Sequence, residues 1–219
     1  MSLPRLLAYL DDSIAARADL GVGLAAVAAA GPDVAIVVRS PTATASRLSD
    51  LAHRAVANAR PPGARVLVTG RFDIAMATGA DGVILRSGDL PANQVPETLV
   101  RLASVHSVHE ARAAVAEGAQ GLIVGNIWPT ASHPGRPGAG IELLRAVAEL
   151  GVPVYAIGGI DAERAREAVQ AGAWGAAAIR AIWASGRQYR ATIELLEAIR
   201  DATRFQDGAG EDEGAAIRP

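Results

Sequence analysis

The chain has 219 residues, half of them apolar, a net charge of −2 and no Cys, and all 21 of its basic residues are Arg. That size fits one large domain or two small ones. The composition excludes disulfides, thiolate metal sites and a Cys nucleophile, and argues against general affinity for nucleic acid. No stretch approaches the ~18 uninterrupted apolar residues of a membrane span. Met1-Ser2-Leu3-Pro4-Arg5 lacks the layout of a signal peptide. A soluble cytoplasmic protein is expected, with no membrane or nucleic-acid partner.

In chain order, short apolar runs predict eight strands: Leu6–Leu10, Val34–Val38, Arg65–Thr69, Gly82–Leu85, Leu99–Ser104, Gly121–Val124, Val152–Ile157 and Ala176–Ile179. Helical spacing between them predicts helices at Ile14–Ala29, Thr44–Asn58, Phe72–Thr78, Val108–Glu117, Ile141–Leu150 and Ala162–Ala171, and a last one at Tyr189–Thr203. Asp89–Glu97 contains two prolines and is a poor helix. The pattern Gly-Ala-x-Gly recurs at Gly79–Gly82, Gly118–Gly121 and Gly172–Gly175. It reads as a helix C-cap followed by entry into a strand. Repetition of one αβ joint favours a parallel sheet, and eight strands favour closure into a single (β/α)8 TIM barrel spanning residues 1–205. An open doubly wound sheet is the alternative, but no Gly-x-Gly-x-x-Gly follows the first strand. The Gly- and acid-rich stretch 206–219 is expected to be a disordered tail.

Val152–Ile160 and Gly172–Ala181 hold the last two strands. In such barrels the loops after strands 7 and 8 commonly bind phosphate. Gly158-Gly159 lets backbone N–H groups approach an anion closely. The other reading is that the glycines only permit a tight turn. Ile179 ends the last strand, Arg180 follows it, and the two would complete the site. Gly125 ends the sixth strand, at the mouth.

His106 is the candidate proton carrier. Alternation places Leu102, Ser104 and His106 on one face if the fifth strand extends. A His that caps the following helix is the competing reading. His109 and His53 read as surface residues. Arg39, at the end of the second strand, is placed to grip a carboxylate or phosphate, or else forms a surface ion pair. Arg71 and Arg86 end strands three and four and read more weakly. The longest irregular stretch, 126–140, follows a strand and offers a lid in which Thr130, His133 and Arg136 would close over an anion.

From about Leu6 to Ser185 the chain resembles the thiamine phosphate synthase/TenI superfamily of (β/α)8 barrels. The resemblance rests on Gly70-Arg71-Phe72-Asp73-Ile74-Ala75, Gly79-Ala80-Asp81-Gly82-Val83, Ser104-Val105-His106-Ser107, Gly125-Asn126-Ile127-Trp128-Pro129-Thr130 and Ala156-Ile157-Gly158-Gly159-Ile160. It implies one of two activities. Synthases join a hydroxymethylpyrimidine diphosphate to a thiazole phosphate, releasing pyrophosphate with magnesium. TenI-like tautomerases aromatise a carboxythiazole phosphate by a proton shift.

The chain departs from the synthase pattern in three places. Pro41 stands where synthases carry Lys, Thr69-Gly70 where they carry Asn-Asp, and His133 near their lid Lys. Asp89 matches the remaining magnesium carboxylate. Ser104-Val105-His106-Ser107, Thr69-Gly70-Arg71 and Asp11-Asp12-Ser13 match the TenI pattern, although Arg180 replaces a usual Ser. The resemblance therefore implies a tautomerase acting on a small phosphorylated thiazole without a metal. His106 would shuttle the proton, Gly158, Gly159, Ile179 and Arg180 would hold the phosphate, and Arg39 would hold the carboxylate. A homodimer is expected. The alternatives are a divergent synthase, with magnesium at Asp89, and a non-catalytic phosphate-ligand-binding regulator.

Overall fold

The computed structural model describes residues 3–130, 135, 137–184 and 186–213, the last eight in backbone only. Eight parallel strands close into a barrel in sequence order, β1 pairing with both β2 and β8. They are β1 (Leu6–Leu10), β2 (Val34–Val38), β3 (Arg65–Thr69), β4 (Gly82–Leu85), β5 (Val100–Val105), β6 (Gly121–Val124), β7 (Val154–Ile157) and β8 (Gly175–Ala178). The helices are α1 (Asp12–Ala15), α2 (Leu20–Ala28), α3 (Ala45–Ala59), α4 (Phe72–Thr78), α5 (Val108–Ala116), α6 (Ile141–Ala148), α7 (Ala162–Gln170), α8 (Arg180–Trp183) and α9 (Gln188–Glu213). Between β4 and β5 the chain makes only a 3-10 turn, Ala92–Gln94. The boundary expected at 205 falls inside α9, and residues 214–219 lie outside the described residues.

Both faces of each strand are covered, which is why the strands read as continuous apolar runs. Alternation then sorts them into two cores. Leu7, Tyr9, Ala35, Val37, Leu67, Ile84, Leu102, Ile123, Tyr155 and Ala177 fill the barrel. Leu6, Ala8 and Leu10 face outward and pack with Val27, Ala55 and Leu196 of the helical shell. An eight-stranded interior is just wide enough for side chains, so small inner residues must offset large ones. A Cβ on Gly82 would lie 2.5 Å from the Val100 carbonyl, and one on Gly121 would lie 2.9 Å from that of Pro153.

The recurring Gly-Ala-x-Gly joint has one geometry in all three places. Gly79, Gly118 and Gly172 have φ of +69°, +93° and +96°. The N–H groups of Ala80, Ala119 and Ala173 donate to the carbonyls of Ala75, Ala114 and Ala168 at 2.9, 2.9 and 3.0 Å. That bond closes the helix in the manner of a Schellman motif. The N–H groups of Asp81, Gln120 and Trp174 then donate at 2.8 Å to Val66, Arg101 and Val154 of the preceding strand. The second glycine starts β4, β6 or β8.

The helix expected over Ile14–Ala29 is two helices. Arg17, between them, donates to the Trp183 carbonyl at 2.7 Å and pairs with Asp19. The ends of α1 and α8 are thereby tied together, at the cost of continuous helix. The α8 turn was not expected from the sequence.

Candidate active site

Strand ends bring the candidate residues to one mouth. Arg39 follows β2, Thr69-Gly70-Arg71 closes β3, Arg86 and Asp89 follow β4, and Ser104 and His106 lie at the end of β5. Gly125 follows β6, Gly158-Gly159 follows β7, and Ile179-Arg180 follows β8. Thr130 is half-buried in the loop after β6. His133 and Arg136, the remaining lid residues, lie outside the described residues.

Gly158 and Gly159 have φ of +103° and +67°. Two consecutive residues in this region turn the chain sharply, a conformation open to glycine. The turn is also packed from behind. A Cβ on Gly158 would lie 2.9 Å from Asn126 Oδ1, and one on Gly159 would lie 2.9 Å from the Pro129 carbonyl. Arg164 braces the turn, donating to the Gly159 carbonyl at 2.7 Å. On the adjacent strand end, Ile179 caps α8, its carbonyl accepting from Ile182 and Trp183. Arg180 is exposed at the first position of that helix, so its side chain does not fill the barrel. Gly125 lets the Ile157 side chain pack against the end of β6. A Cβ there would meet Ile157 Cγ2 at 2.3 Å.

His106 is 63% exposed at the rim. Ser107 caps α5 by accepting from the Glu110 N–H at 3.2 Å, and the Glu110 carboxylate accepts from the His106 N–H at 2.9 Å. This is a capping box shifted by one residue. The carboxylate also lies 3.4 Å from His106 Nδ1. The imidazole is thus tethered to its own helix start.

The β3–β4 side carries the least expected arrangement. Gly70 has φ of +72°, and a Cβ there would lie 2.5 Å from Arg86 Nη2. The Arg86 guanidinium occupies the space that a side chain at position 70 would take. It is clamped by Asp89, with Nε to Oδ2 and Nη2 to Oδ1 both 3.1 Å. The Arg86 N–H also donates to Asp89 Oδ2 at 2.8 Å. Beside it, Thr69 Oγ1 is shielded from solvent and has no hydrogen-bond partner. These residues do not fit the magnesium that the resemblance implies for a synthase. Position 70 supplies no oxygen ligand, and both Asp89 oxygens are engaged by a cation. No group of three His, Cys, Asp or Glu among the described residues is arranged to hold a metal.

Three further features were missed in the sequence. Tyr9 is buried below the mouth, where burial pushes its hydroxyl far above the ordinary phenol range. The Arg39 charge only partly opposes that shift. Its hydroxyl therefore stays protonated. Asp12 accepts from the Ser40 hydroxyl and, at 2.8 Å, from that of Thr42, which joins the loops after β1 and β2. The Ser40 bond is the main cause of an Asp12 carboxyl held below the usual carboxylate range. Arg71 is taken up by Asp73 at 2.5 Å. Alternation along Leu6–Leu10 was the available signal for Tyr9.

The family model described as thiamine monophosphate synthase matches residues 11–182. The chain belongs to the thiamine monophosphate synthase family. A thiamine-phosphate synthase of Mycolicibacterium vanbaalenii is 44% identical over 132 residues, covering 58% of this chain and 60% of that protein. A thiamine-phosphate synthase of Mycobacterium tuberculosis is 38% identical over 172 residues, 75% of this chain and 74% of that one. The matched part of the chain thus spans about three-fifths of the first relative's length. Among solved structures, a thiamine phosphate pyrophosphorylase from Pyrococcus furiosus superposes with a TM-score of 0.77 at 28% identity. That match covers 90% of this chain and 96% of that one.

These relatives of the thiamine monophosphate synthase family overturn the expectation of a TenI-like tautomerase, and with it an isomerase. That expectation weighed a lost carboxylate at Gly70 as lost diphosphate handling. The mouth nevertheless keeps a cation there, because Arg86 fills the space. Among the described residues no helix is long and apolar enough to cross a membrane.

Proposed function

We propose that the chain is a thiamine phosphate synthase, a transferase that joins a hydroxymethylpyrimidine diphosphate to a thiazole phosphate and releases pyrophosphate. The observation that carries this reading is the set of curated relatives bearing that name. The mouth supports it chemically. Two phosphate-bearing substrates need two anion-receptive regions, and the barrel offers them on opposite sides. Gly158, Gly159, Ile179 and Arg180 form one, suited to the thiazole phosphate. Arg39 and Arg86, at the ends of β2 and β4, form the other, suited to the diphosphate. Arg39 has no carboxylate to hold in this reaction and serves as a cation instead.

In the reaction a C–N bond forms from the thiazole nitrogen as the C–O bond to pyrophosphate breaks. The protein's work is to align the two rings over Gly125, Ser104 and the Tyr9 hydroxyl and to stabilise the leaving charge. His106, at the rim, contacts the substrates rather than carrying a proton between carbons. A cytoplasmic location and a homodimer belong to the same proposal, the second testable by sedimentation.

The test is incubation with both substrates, following thiamine phosphate by chromatography and pyrophosphate by a coupled assay. Equimolar appearance of the two products is expected. Binding of thiazole phosphate without either product would overturn the reading and leave a non-catalytic binder.

A further inference from the structure

The contact between Gly70 and Arg86 has a meaning beyond the general reaction. A strand-end arginine is usually a mobile, hydrated charge with ~2 kcal/mol of rotamer entropy to lose. Arg86 is held by a bidentate pair to Asp89 and lies in a recess that exists because residue 70 has no side chain. Asp89 is the more sheltered partner, 16% exposed against 50% for Arg86. The clamp uses Nε and one hydrogen of Nη2. Both Nη1 hydrogens and the other Nη2 hydrogen are not used by the clamp. Thr69 Oγ1, the next polar atom along β3, is shielded and unpartnered.

We propose that the Arg86 guanidinium takes the place of a divalent cation at the diphosphate end of this site, so that pyrophosphate is bound and released without a metal. The inference rests on the synthase reading for its substrate. The charge balance is what makes the exchange workable. Two carboxylates with a divalent ion sum to zero, and so do one carboxylate and one guanidinium. A glycine at position 70 and an arginine at position 86 are therefore a paired change. The first removes a carboxylate that the second makes unnecessary, and removes the side chain that would exclude it. A planar guanidinium presents parallel N–H donors matched to two phosphate oxygens. As the C–O bond breaks, its electron pair stays on the pyrophosphate oxygen, and the nitrogen lone pair of the thiazole makes the new bond. Arg86 faces the oxygens on which that charge collects. No proton is transferred and no redox partner is needed.

Calorimetry with inorganic pyrophosphate, in EDTA and then in magnesium, tests this without turnover. The wild-type chain should bind in EDTA, with magnesium changing the affinity less than about threefold, because no carboxylate pair awaits the ion. Arg86→Gln should weaken metal-free binding roughly ten- to hundredfold, the range of a charge-assisted hydrogen-bonded pair. Arg86→Lys keeps the charge but not the fork and should fall between. The double change Gly70→Asp with Arg86→Gly should lose metal-free binding and recover it when magnesium is added.

Wild-type binding that requires magnesium, or that is absent in both conditions, overturns the proposal without any variant. Equal binding by wild type and a folded Arg86→Gln overturns it too. Failure of the synthase reading looks different. In that case Arg86-dependent binding in EDTA is seen but no thiamine phosphate forms. Product formed only with magnesium would leave the synthase reading standing and remove this one.

Discussion

The turn after β7 offers the sharpest separation of backbone strain from packing. Gly158→Ala places a methyl group at φ +103°, 2.9 Å from Asn126 Oδ1 and 3.0 Å from Asn126 Cα. Gly151→Ala has a similar conformational demand, φ +75°, but nothing within 4 Å. The control therefore carries only the left-handed cost of roughly 1–2 kcal/mol. Gly158→Ala carries roughly 1–3 kcal/mol of strain and about 1–3 kcal/mol more for overpacking against backbone that cannot swing aside. In a domain of this size each kcal/mol is worth about 2–4 °C in Tm. Gly158→Ala should thus melt several degrees below Gly151→Ala. Because the strain also rotates the 158–159 amides, it should lose affinity for inorganic phosphate, while Gly151→Ala keeps it. The assay is a melting curve for each variant with and without phosphate. Matching melting points, or matching stabilisation by phosphate, would refute the assignment of this turn as a packed anion site.

Leu102→Ala should cost about 2–5 kcal/mol in denaturant unfolding, since the side chain is fully buried in the inner barrel core and packs against Gly121. Asp12 titrates below the ordinary carboxylate range because Ser40 donates to it. A depressed folded value gives stability that is present above the unfolded value and is lost as pH falls through the folded one. Ser40→Ala should raise the Asp12 titration toward the ordinary carboxylate range, read by carboxyl-carbon NMR, and should flatten the loss of stability in acid. An unchanged titration would show that the hydroxyl contact does not form in solution.

The eight strands were legible because a parallel barrel buries both faces of each strand, and continuous apolar runs such as Leu6–Leu10 and Val34–Val38 record that burial directly. The Gly-Ala-x-Gly joints were legible for a local reason. A positive-φ cap and a strand start without a Cβ are demands that glycine alone meets, three residues apart. The Gly158-Gly159 turn belongs to the same class. What the sequence left open depends on which strand ends meet. Arg17 breaks the first helix to reach the Trp183 carbonyl, 166 positions away, and no local pattern encodes that bond. Ser40 and Thr42 reach Asp12 across the β1–β2 edge. Gly70 read as a missing ligand, and Arg86 as a weaker strand-end cation, because each was weighed alone. Only closure of β3 against β4, with the Gly70 N–H on the Ile84 carbonyl at 2.8 Å, puts the absent side chain of one under the guanidinium of the other. The sequence stated both residues, and the register between two strands decided that they share one space.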